Sequence, residues 1–579
     1  MKNLRDFIAL LREHDEIVDV FHEVDTNLEI AEIHRCVAAA DGPALFFRRV
    51  KGSSFPVVTN LFGSRKRIDL AFHNRPHETL ARLVEIMTAP FPPKLRTLWQ
   101  NRSYLKKINT LGTKKQSFSP VKEVRMSDPD LEKLPMLKSW PLDGGHFLTL
   151  PLVYTEGKTP NLGMYRVQRF GPKHAGLHFQ IQKGGGFHFY QAEQQNCPLP
   201  VNIFLGGPPA LILSAITPLP ENVSELLVAG LLQGEKLGIG SSEENSYPLI
   251  SESEFALIGE APPHVRHPEG PFGDHYGYYS WKHDFPLFQL KAIYHRKDAI
   301  FPATVVGKPR QEDFYIGDYL QQLLSPIFPI VMPAVKALWS YGETGFHALS
   351  AAIVHERYER ECMASAFRIL GEGQLSLTKF LLLTDQNINL RNFRELFTTV
   401  LERFQPEKDL FIFANLSLDT LDYTGPSLNK GSRGVLLGIG KKVRDLPTTF
   451  VAQNARPFCP GCLVIENERI ETIVENPAFA DWPLVILVDS AEKTLSSEAS
   501  FLWTVFTRFE PAQDIYSKGN KVHRHHILYS LPIVIDARMK PSYPEEVLCD
   551  PETERWVTEH WKKYFPQGME KGNSKNGHV

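Results

Sequence analysis

Apolar positions recur at helical spacing over residues 3–14 and then alternate over 17–24, so the chain opens with an amphipathic helix and a strand. Thr26 and Glu29 stand in a capping-box arrangement that predicts a second helix through about Ala40. Strand-like runs at 44–50 and 57–61 and a helix over 77–88 complete an alternating α/β unit, closed by the prolines of 89–93. From about 116 to 320 the texture becomes short apolar or alternating runs between glycines and prolines: 148–155, 163–170, 177–182, 201–205, 210–215 and 287–295. Many short strands with turn residues between them predict a β-barrel or sandwich, carrying one helical insert over 223–233. The proline-dotted stretch 325–333 predicts a crossing into a further domain.

The last third returns to α/β and repeats itself. Phe380-Leu-Leu-Leu-Thr-Asp385 followed by Thr399-Val-Leu-x-Arg403-Phe-x-Pro406-x-x-Asp409-Leu410 recurs as Val485-Ile-Leu-Val-Asp489 followed by Thr504-Val-Phe-x-Arg508-Phe-x-Pro511-x-x-Asp514-Ile515. Each copy reads strand, helix, strand, and the pair predicts two related units in one sheet. A final helix over 554–564 precedes a polar tail, 567–579, with the composition of a disordered end. The domain organisation expected is therefore an α/β multidomain chain: an N-terminal α/β domain (1–115), a β domain (116–325), a linker (326–345), a C-terminal α/β domain (346–566) and the tail.

Charge narrows the function classes. The chain holds 64 basic and 66 acidic residues among 579, so it has no field to attract nucleic acid or an anionic membrane. The charged N-terminus lacks the apolar core of a secretory signal, and no run of 18 apolar residues occurs, so the expected location is cytoplasmic. Six scattered cysteines make no disulfide framework. Cys459-Pro-Gly-Cys462 supplies only two of the four ligands a structural zinc needs, and a turn with two free thiols is the preferred reading of that spacing.

Candidate chemistry is concentrated in three segments. Glu269-Gly-Pro-Phe-Gly-Asp274 places two carboxylates five residues apart where glycine and proline cannot continue a helix, which predicts a stiff, exposed loop presenting acids or else a tight turn with solvated ones. The following Tyr276-Gly-Tyr-Tyr-Ser280 offers an aromatic wall, beside which a carboxyl would favour its neutral form and suit proton donation. The second segment, Asn161-Leu-Gly-Met-Tyr-Arg166, spans ~16 Å if extended, about the length of a flavin mononucleotide from phosphate to ring. Asn161 and Arg166 would then face opposite sides unless Gly163 marks a bulge or twist, and a cross-strand ion pair is the alternative role for Arg166. In the third, His178-Phe-Gln-Ile-Gln-Lys183-Gly-Gly-Gly186, glycine amides beside a cation make either a phosphate nest or a hairpin. Glu225 is a favourable first-turn acid on its helix, or with Asn161 an oxygen ligand for a hard divalent ion.

In this order NxGxYR, the glycine segment, Thr217-Pro-x-Pro with Ser224-Glu225, and EGPFGDHxGYY resemble the UbiD family of decarboxylases, which use prenylated FMN. The resemblance runs from Leu4 through the strand at Phe380 and beyond. It implies a central split β-barrel that binds the flavin and a C-terminal domain through which family members assemble as homo-oligomers. Asn161 and Glu225 match ligands of a divalent metal, usually manganese, that bridges to the flavin phosphate, with room for a monovalent cation such as K+. Met164, Tyr165 and Arg166, His178, Phe179 and Gln180, and Lys183 and Gly184 match the three cofactor-contacting segments, and Lys379 matches a lysine that approaches the phosphate. Arg166, Glu269 and Asp274 match the catalytic trio, with Asp274 as proton donor. Where some members carry a third metal-ligating histidine, this chain has Gln182 or its neighbours.

The reaction so implied removes CO₂ from an aromatic or α,β-unsaturated carboxylic acid, on a cofactor supplied by a prenyl-FMN synthase. Relatives of this size and texture act in quinone biosynthesis, so the resemblance implies a polyprenyl-hydroxybenzoate or a naphthoate of the menaquinone route as substrate, with at most peripheral membrane contact. The rival readings are a flavin-dependent oxidoreductase on a split barrel and a metal-binding scaffold built on the CPGC turn. If Asn161 is a ligand, Asn161→Ala lowers metal content and flavin absorbance together in the purified protein; retention of both removes it from the set.

Overall fold

The computed structural model describes residues 1–72, 75–88, 102, 110–180, 184–219, 223–308 and 310–574. Among the expectations above, the proline cluster 89–93, Gln182 and Lys183 lie outside them. The chain divides into two compact units: Met1–Leu323 together with Glu546 onward, and Leu324–Glu545.

In the first unit the helix Leu4–Glu13 is capped by Asn3, whose side chain accepts the Asp6 amide, and it buries Leu4, Phe7, Ile8 and Leu11. The second helix, Glu29–Ala38, lacks the Thr26 cap: the Glu29 carboxylate instead accepts the amide of Asp25 at 2.7 Å. Strands Ile17–Val20, Ala44–Phe47 and Val57–Thr59 form a small sheet, and Phe301–Pro302 returns to pair with the last of them. The N-terminal α/β layer is therefore completed by chain from far downstream. It is also closed by the chain's end. The helix Pro551–Tyr564 buries Val557, Trp561 and Tyr564 in the first unit's core, and Trp556 Nε1 donates to Glu29 at 2.9 Å. The final helix thus belongs with the N-terminal unit rather than with 346–566, because its apolar stripe is buried against the helix of Glu29. Of the tail expected to be disordered, residues 567–574 are docked: the Gly572 amide donates to Cys36 O at 3.0 Å and Ser574 Oγ to Glu32 Oε1 at 2.6 Å, which gives a buried carboxylate a partner.

The middle of this unit is a curled ten-stranded sheet. Its main path runs Phe147–Leu148, Val167–Arg169, His174–Leu177, His283–His295, Phe255–Ala261, Leu199–Leu205, Leu152–Glu156 and Pro160–Met164. Strand Pro160–Met164 ends one side of this path, and Val167–Arg169 lies next to the end of the other. Only Tyr165 and Arg166 join them, and so short a link reaches at most ~10 Å, so the two sides of the sheet must curl toward each other. The expected single strand 163–170 is therefore two strands with a crossing between them. The apolar run at 210–215 is a helix, Pro209–Ile216, not a strand: Pro209 sits at its first turn, and the alanines and leucines that follow are good helix formers.

The second unit contains two five-stranded sheets where one was expected. The first orders Val335–Ser340, Leu349–Val354, Phe380–Thr384, Lys430–Gly438 and Leu410–Ser417; the second orders Ala455–Cys459, Cys462–Glu466, Leu484–Val488, Ile533–Asp536 and Ile515–Tyr516. In both, the outer pairs are antiparallel and the inner pairs parallel. Each sheet starts with its own hairpin, Val335–Ser340 with Leu349–Val354 and Ala455–Cys459 with Cys462–Glu466. The stretch 326–345, expected as a linker, accordingly carries the edge strand Val335–Ser340. Cys459 and Cys462 are a cross-strand pair around the turn Pro460-Gly461, both buried and both free thiols. No helix among the described residues is long and apolar enough to cross a membrane.

Candidate active site

The acidic loop is a buried hairpin rather than an exposed loop. Glu269 ends strand Arg266–Glu269, held opposite His283, and Phe272–Gly273 pairs with Tyr279–Ser280, so residues 274–278 form the turn. Its polar backbone is satisfied from inside the protein: Gly270 N donates to Gln168 Oε1 at 2.7 Å, Phe272 N to Ser280 Oγ at 3.2 Å and Gly273 N to Asp143 Oδ1 at 2.8 Å. Because those amides find partners, the loop can withdraw from water, and Glu269 is fully buried while Asp274 is only 8% exposed. Gly273 is required by contact: a Cβ there would lie 2.2 Å from the Trp140 ring. Trp140 is itself fixed by its Nε1 bond to Val306 O at 2.7 Å and by the Arg35 guanidinium 4.1 Å from its ring centre.

Both acids converge on Arg166, the residue at the crossing between the two sides of the curled sheet. Arg166 Nε and Nη2 donate to the two oxygens of Glu269 at 2.7 and 3.0 Å, a bidentate pair, and Nη1 donates to Asp274 Oδ2. Ser280 Oγ accepts Nη2 at 2.9 Å, and the Phe272 ring lies 4.8 Å from the guanidinium carbon. The cross-strand ion pair considered for Arg166 is present, and its partners are the acids of the candidate loop. His178 Nδ1 lies 3.1 Å from Glu269 Oε2, its ring packs against Phe285 at 4.3 Å, and its buried Nε2 has no hydrogen-bond partner.

One cation between two buried carboxylates sets their proton affinities. Burial opposes ionisation of Glu269, but the charge of Arg166 and then His178 prevail and hold its pKa down at about 2. Burial also opposes ionisation of Asp274. The hydrogen bond from His275, whose Nδ1 lies 2.8 Å from Oδ1, and the charge of Arg166 outweigh it and keep Asp274 well below the usual carboxylate range. The sequence-based expectation of a raised pKa is therefore reversed in this arrangement, since it counted the aromatic neighbours and not the arginine. Raised acids do stand beside the loop. Burial pushes Asp143 up to about 6 despite three backbone amides, and it pushes Asp313 to about 6, with His275 opposing the rise and the charge of Asp274 adding to it. His178 is lowered, first by burial and then by Arg166.

A second cluster surrounds Asn161 on strand Pro160–Met164. The helix Glu225–Gln233 starts against this strand, capped by Ser224, and the Glu225 carboxylate accepts the amide of Leu162 at 2.9 Å. Burial raises the pKa of Glu225, the Leu162 amide offsetting part of the rise, and Asn161 Nδ2 is buried without a hydrogen-bond partner. The glycine segment is neither hairpin nor isolated nest where it is described. Gly184 to Gly186 open the helix Gly184–Gln194, and a Cβ on Gly184 would lie 2.0 Å from Asn161 Oδ1. Helix amides and a carboxylate awaiting a counter-charge thus meet at Asn161, a donor set that fits a hard cation with a phosphate. Among the described residues no group of three or more His, Cys, Asp or Glu is gathered for a metal.

The other candidates are distributed between lining and core. Tyr165 turns its ring onto Phe179 at 5.1 Å, and both rings are in the hydrophobic core; the Tyr165 hydroxyl accepts the Gly185 amide at 3.2 Å. Met164 packs partly buried beside the core of the curled sheet, and Gln180 is half-buried. Lys379 lies in the second unit, where it pairs with Asp422 at 2.8 Å with both side chains buried. Sequence reasoning missed Asp143, Ser280, His275 and Asp313. Only Ser280 and His275 carried a signal, by adjoining the acidic motif; Asp143 and Asp313 come from distant segments.

Three family models match the chain: the UbiD family's 3-octaprenyl-4-hydroxybenzoate carboxy-lyase N-terminal domain over residues 8–87, its Rift-related domain over 113–309 and its C-terminal domain over 314–438. A protein of Chlamydia pneumoniae, named as one of the subunits of 4-hydroxybenzoate decarboxylase, is 55% identical over 98% of this chain and 99% of its own length. An uncharacterised protein of Archaeoglobus fulgidus is 35% identical over 77% of this chain and 92% of its own. In fold, the chain is similar to vanillic acid decarboxylase of Sedimentibacter hydroxybenzoicus, with a TM-score of 0.67 at 24% identity over 79% of this chain and 96% of that one.

Replacing Arg166 by methionine strands two carboxylates beside an apolar chain, and a loss of about 3–5 kcal/mol of stability is expected at neutral pH. For Glu269 the folded pKa is about 2 against an ordinary 4.5, so the stabilisation lost in Arg166→Met is complete above about 4.5 and disappears as pH falls through about 2. Urea titrations of both proteins across that range check it; a difference independent of pH would contradict the pairing.

Proposed function

The chain belongs to the UbiD family of decarboxylases, and on that premise we propose that it removes CO₂ from an aromatic or α,β-unsaturated carboxylic acid without net oxidation, working with prenylated FMN. The observation that carries this reading is the Arg166 guanidinium shared by Glu269 and Asp274. Loss of CO₂ from an sp² carbon leaves an electron pair that no side chain accepts well, and bound prenylated FMN supplies the sink for it.

The chain's own residues do the rest. A substrate carboxylate is drawn to Arg166 and competes with Asp274 for the same guanidinium, while Glu269, bound bidentately, keeps the arginine oriented. Asp274, still buried and now without Arg166, then binds a proton more readily, with the His275 bond still opposing it. His275, bonded to Asp274 and partly exposed, links it to solvent. Once CO₂ has left, Asp274 gives that proton to the carbon that lost it. The low proton affinity of Asp274 in the paired state supports this order, because the acid is armed only when a carboxylate takes its place.

Asn161 and Glu225 would hold a divalent ion, manganese by family habit, against the flavin phosphate, with the amides that open helix Gly184–Gln194 beside it. Met164, Tyr165, His178, Phe179, Gln180 and Lys183 flank the flavin in this reading. Lys379 is held by Asp422 within its own unit. We read the curled sheet as a split barrel and the two C-terminal sheets as a duplication, supported by the crossing at Tyr165-Arg166 and by the matching strand orders. The 55% identical relative's name favours a hydroxybenzoate-like acid, compatible with ubiquinone or menaquinone biosynthesis in the cytoplasm and with a prenyl-FMN synthase as supplier.

Asp274→Asn keeps the shape and loses the proton. After co-expression with a prenyl-FMN synthase, the variant retains flavin absorbance and releases no CO₂ from aromatic acids that the parent enzyme turns over; unchanged turnover would sink the assignment.

A further inference from the structure

The two sheets of the C-terminal unit are related position by position. Phe380 pairs with Gly434 and Leu410 with Leu436 in the first; Leu484 pairs with Ile533 and Ile515 with Ile535 in the second. Superposing the repeats in sequence therefore makes Phe380 equivalent to Leu484, Leu410 to Ile515 and Leu436 to Ile535. Those same six residues line one apolar seam between the modules. Each sheet covers its other face with its own helix: Leu381, Leu383 and Val435 lie beneath Glu361–Gly371, and Val485, Leu487 and Val534 form a core with Ile473 of Ile470–Glu475.

The contacts between modules are reciprocal. Helix Phe393–Arg403 of the first packs on strand Ala455–Cys459, and its counterpart Glu498–Arg508 packs on the turn Gly342–Thr344 that follows the equivalent strand of the first. The helices meet through aromatic rings, Phe393 with Phe501 at 6.2 Å and with Phe506 at 5.9 Å. The short helix Pro511–Asp514 lies on strand Lys430–Gly438, the Ala512 amide donating to Ser432 Oγ at 2.8 Å, whereas its counterpart Pro406–Asp409 meets strand His526–Leu528, just before the equivalent Ile533–Asp536, so this contact is not exchanged strand for strand. An interface in which equivalent patches contact each other in exchange is the signature of a two-fold dimer. Here both halves are in one chain.

The family's C-terminal model ends at residue 438, so the second module, 455–536, lies beyond it. We infer that the second module is a built-in stand-in for a second copy of the first: it covers, about a pseudo-two-fold axis, the apolar face that a one-module chain would offer to another chain. Assembly of this protein therefore uses surfaces other than that face. The CPGC turn acquires a role in the same contact, since Arg394 of the first module donates to Phe458 O beside Cys459 and stacks on the Phe458 ring at 4.1 Å.

The test is a photo-cross-link in the full-length chain, with p-benzoylphenylalanine in place of Arg394, which is partly exposed at the rim of the seam. Irradiation is expected to capture residues 455–462 or Glu498, leaving a single 65.7 kDa chain on a denaturing gel. The same label in place of Phe397 is expected to capture residues near Phe501, 6.3 Å away, again within one chain. A band of twice the mass carrying these peptides, or capture outside the second module from both positions, overturns the inference.

Discussion

A guanidinium held between two buried carboxylates is the contact on which the rest of this site depends. Arg166, Glu269 and Asp274 together carry an excess negative charge away from bulk water, which is stable only while the charges stay paired. Two bonds to Glu269, one to Asp274 and one to Ser280 take four of the guanidinium's five N–H groups, and His178 and His275 add bonds to the carboxylates. The same economy makes the arrangement responsive. Any incoming carboxylate must take a bond from one of the two acids, and Glu269, bound twice and fully buried, is harder to displace than Asp274.

The curled sheet exists around that contact. Arg166 stands in the two-residue crossing between opposite sides of the sheet, one residue from Tyr165, whose hydroxyl takes an amide from the first turn of the glycine-led helix. The Asn161–Glu225 cluster therefore sits within one strand's length of the acid pair. Upstream, Trp140 and Asp143 brace the acidic hairpin from the segment that also receives the Arg35 side chain, so the helix Glu29–Ala38 supports the site without entering it.

Much of this was legible in the sequence because local signals and chemistry coincided. The glycines and prolines of 269–274 announced a turn with acids, and the run from Asn161 announced a strand, although that strand ends at Met164 and Arg166 lies in the crossing after it. Exposure was misjudged because the groups that satisfy the loop's amides, Gln168 and Asp143, are more than a hundred residues away and carry no local mark. The pKa of Asp274 was misjudged because the aromatic neighbours were counted and the adjacent His275, which bonds to the carboxylate, and Arg166, 108 residues away, were not. Pattern also failed at 210–215, where an apolar run too short to show its period is a helix begun by proline. The repeat was visible as sequence, yet whether its copies share a sheet depends on hairpins outside the repeated words.

The central claim is that a substrate carboxylate displaces Asp274 from Arg166 and so arms it as an acid. Infrared difference spectroscopy of the flavin-loaded enzyme, with and without a bound aromatic acid, reads this directly through the carboxyl stretch. The account predicts a protonated-carboxyl band that appears on binding and is missing in Asp274→Asn. An Asp274 that stays ionised with the acid bound would contradict it.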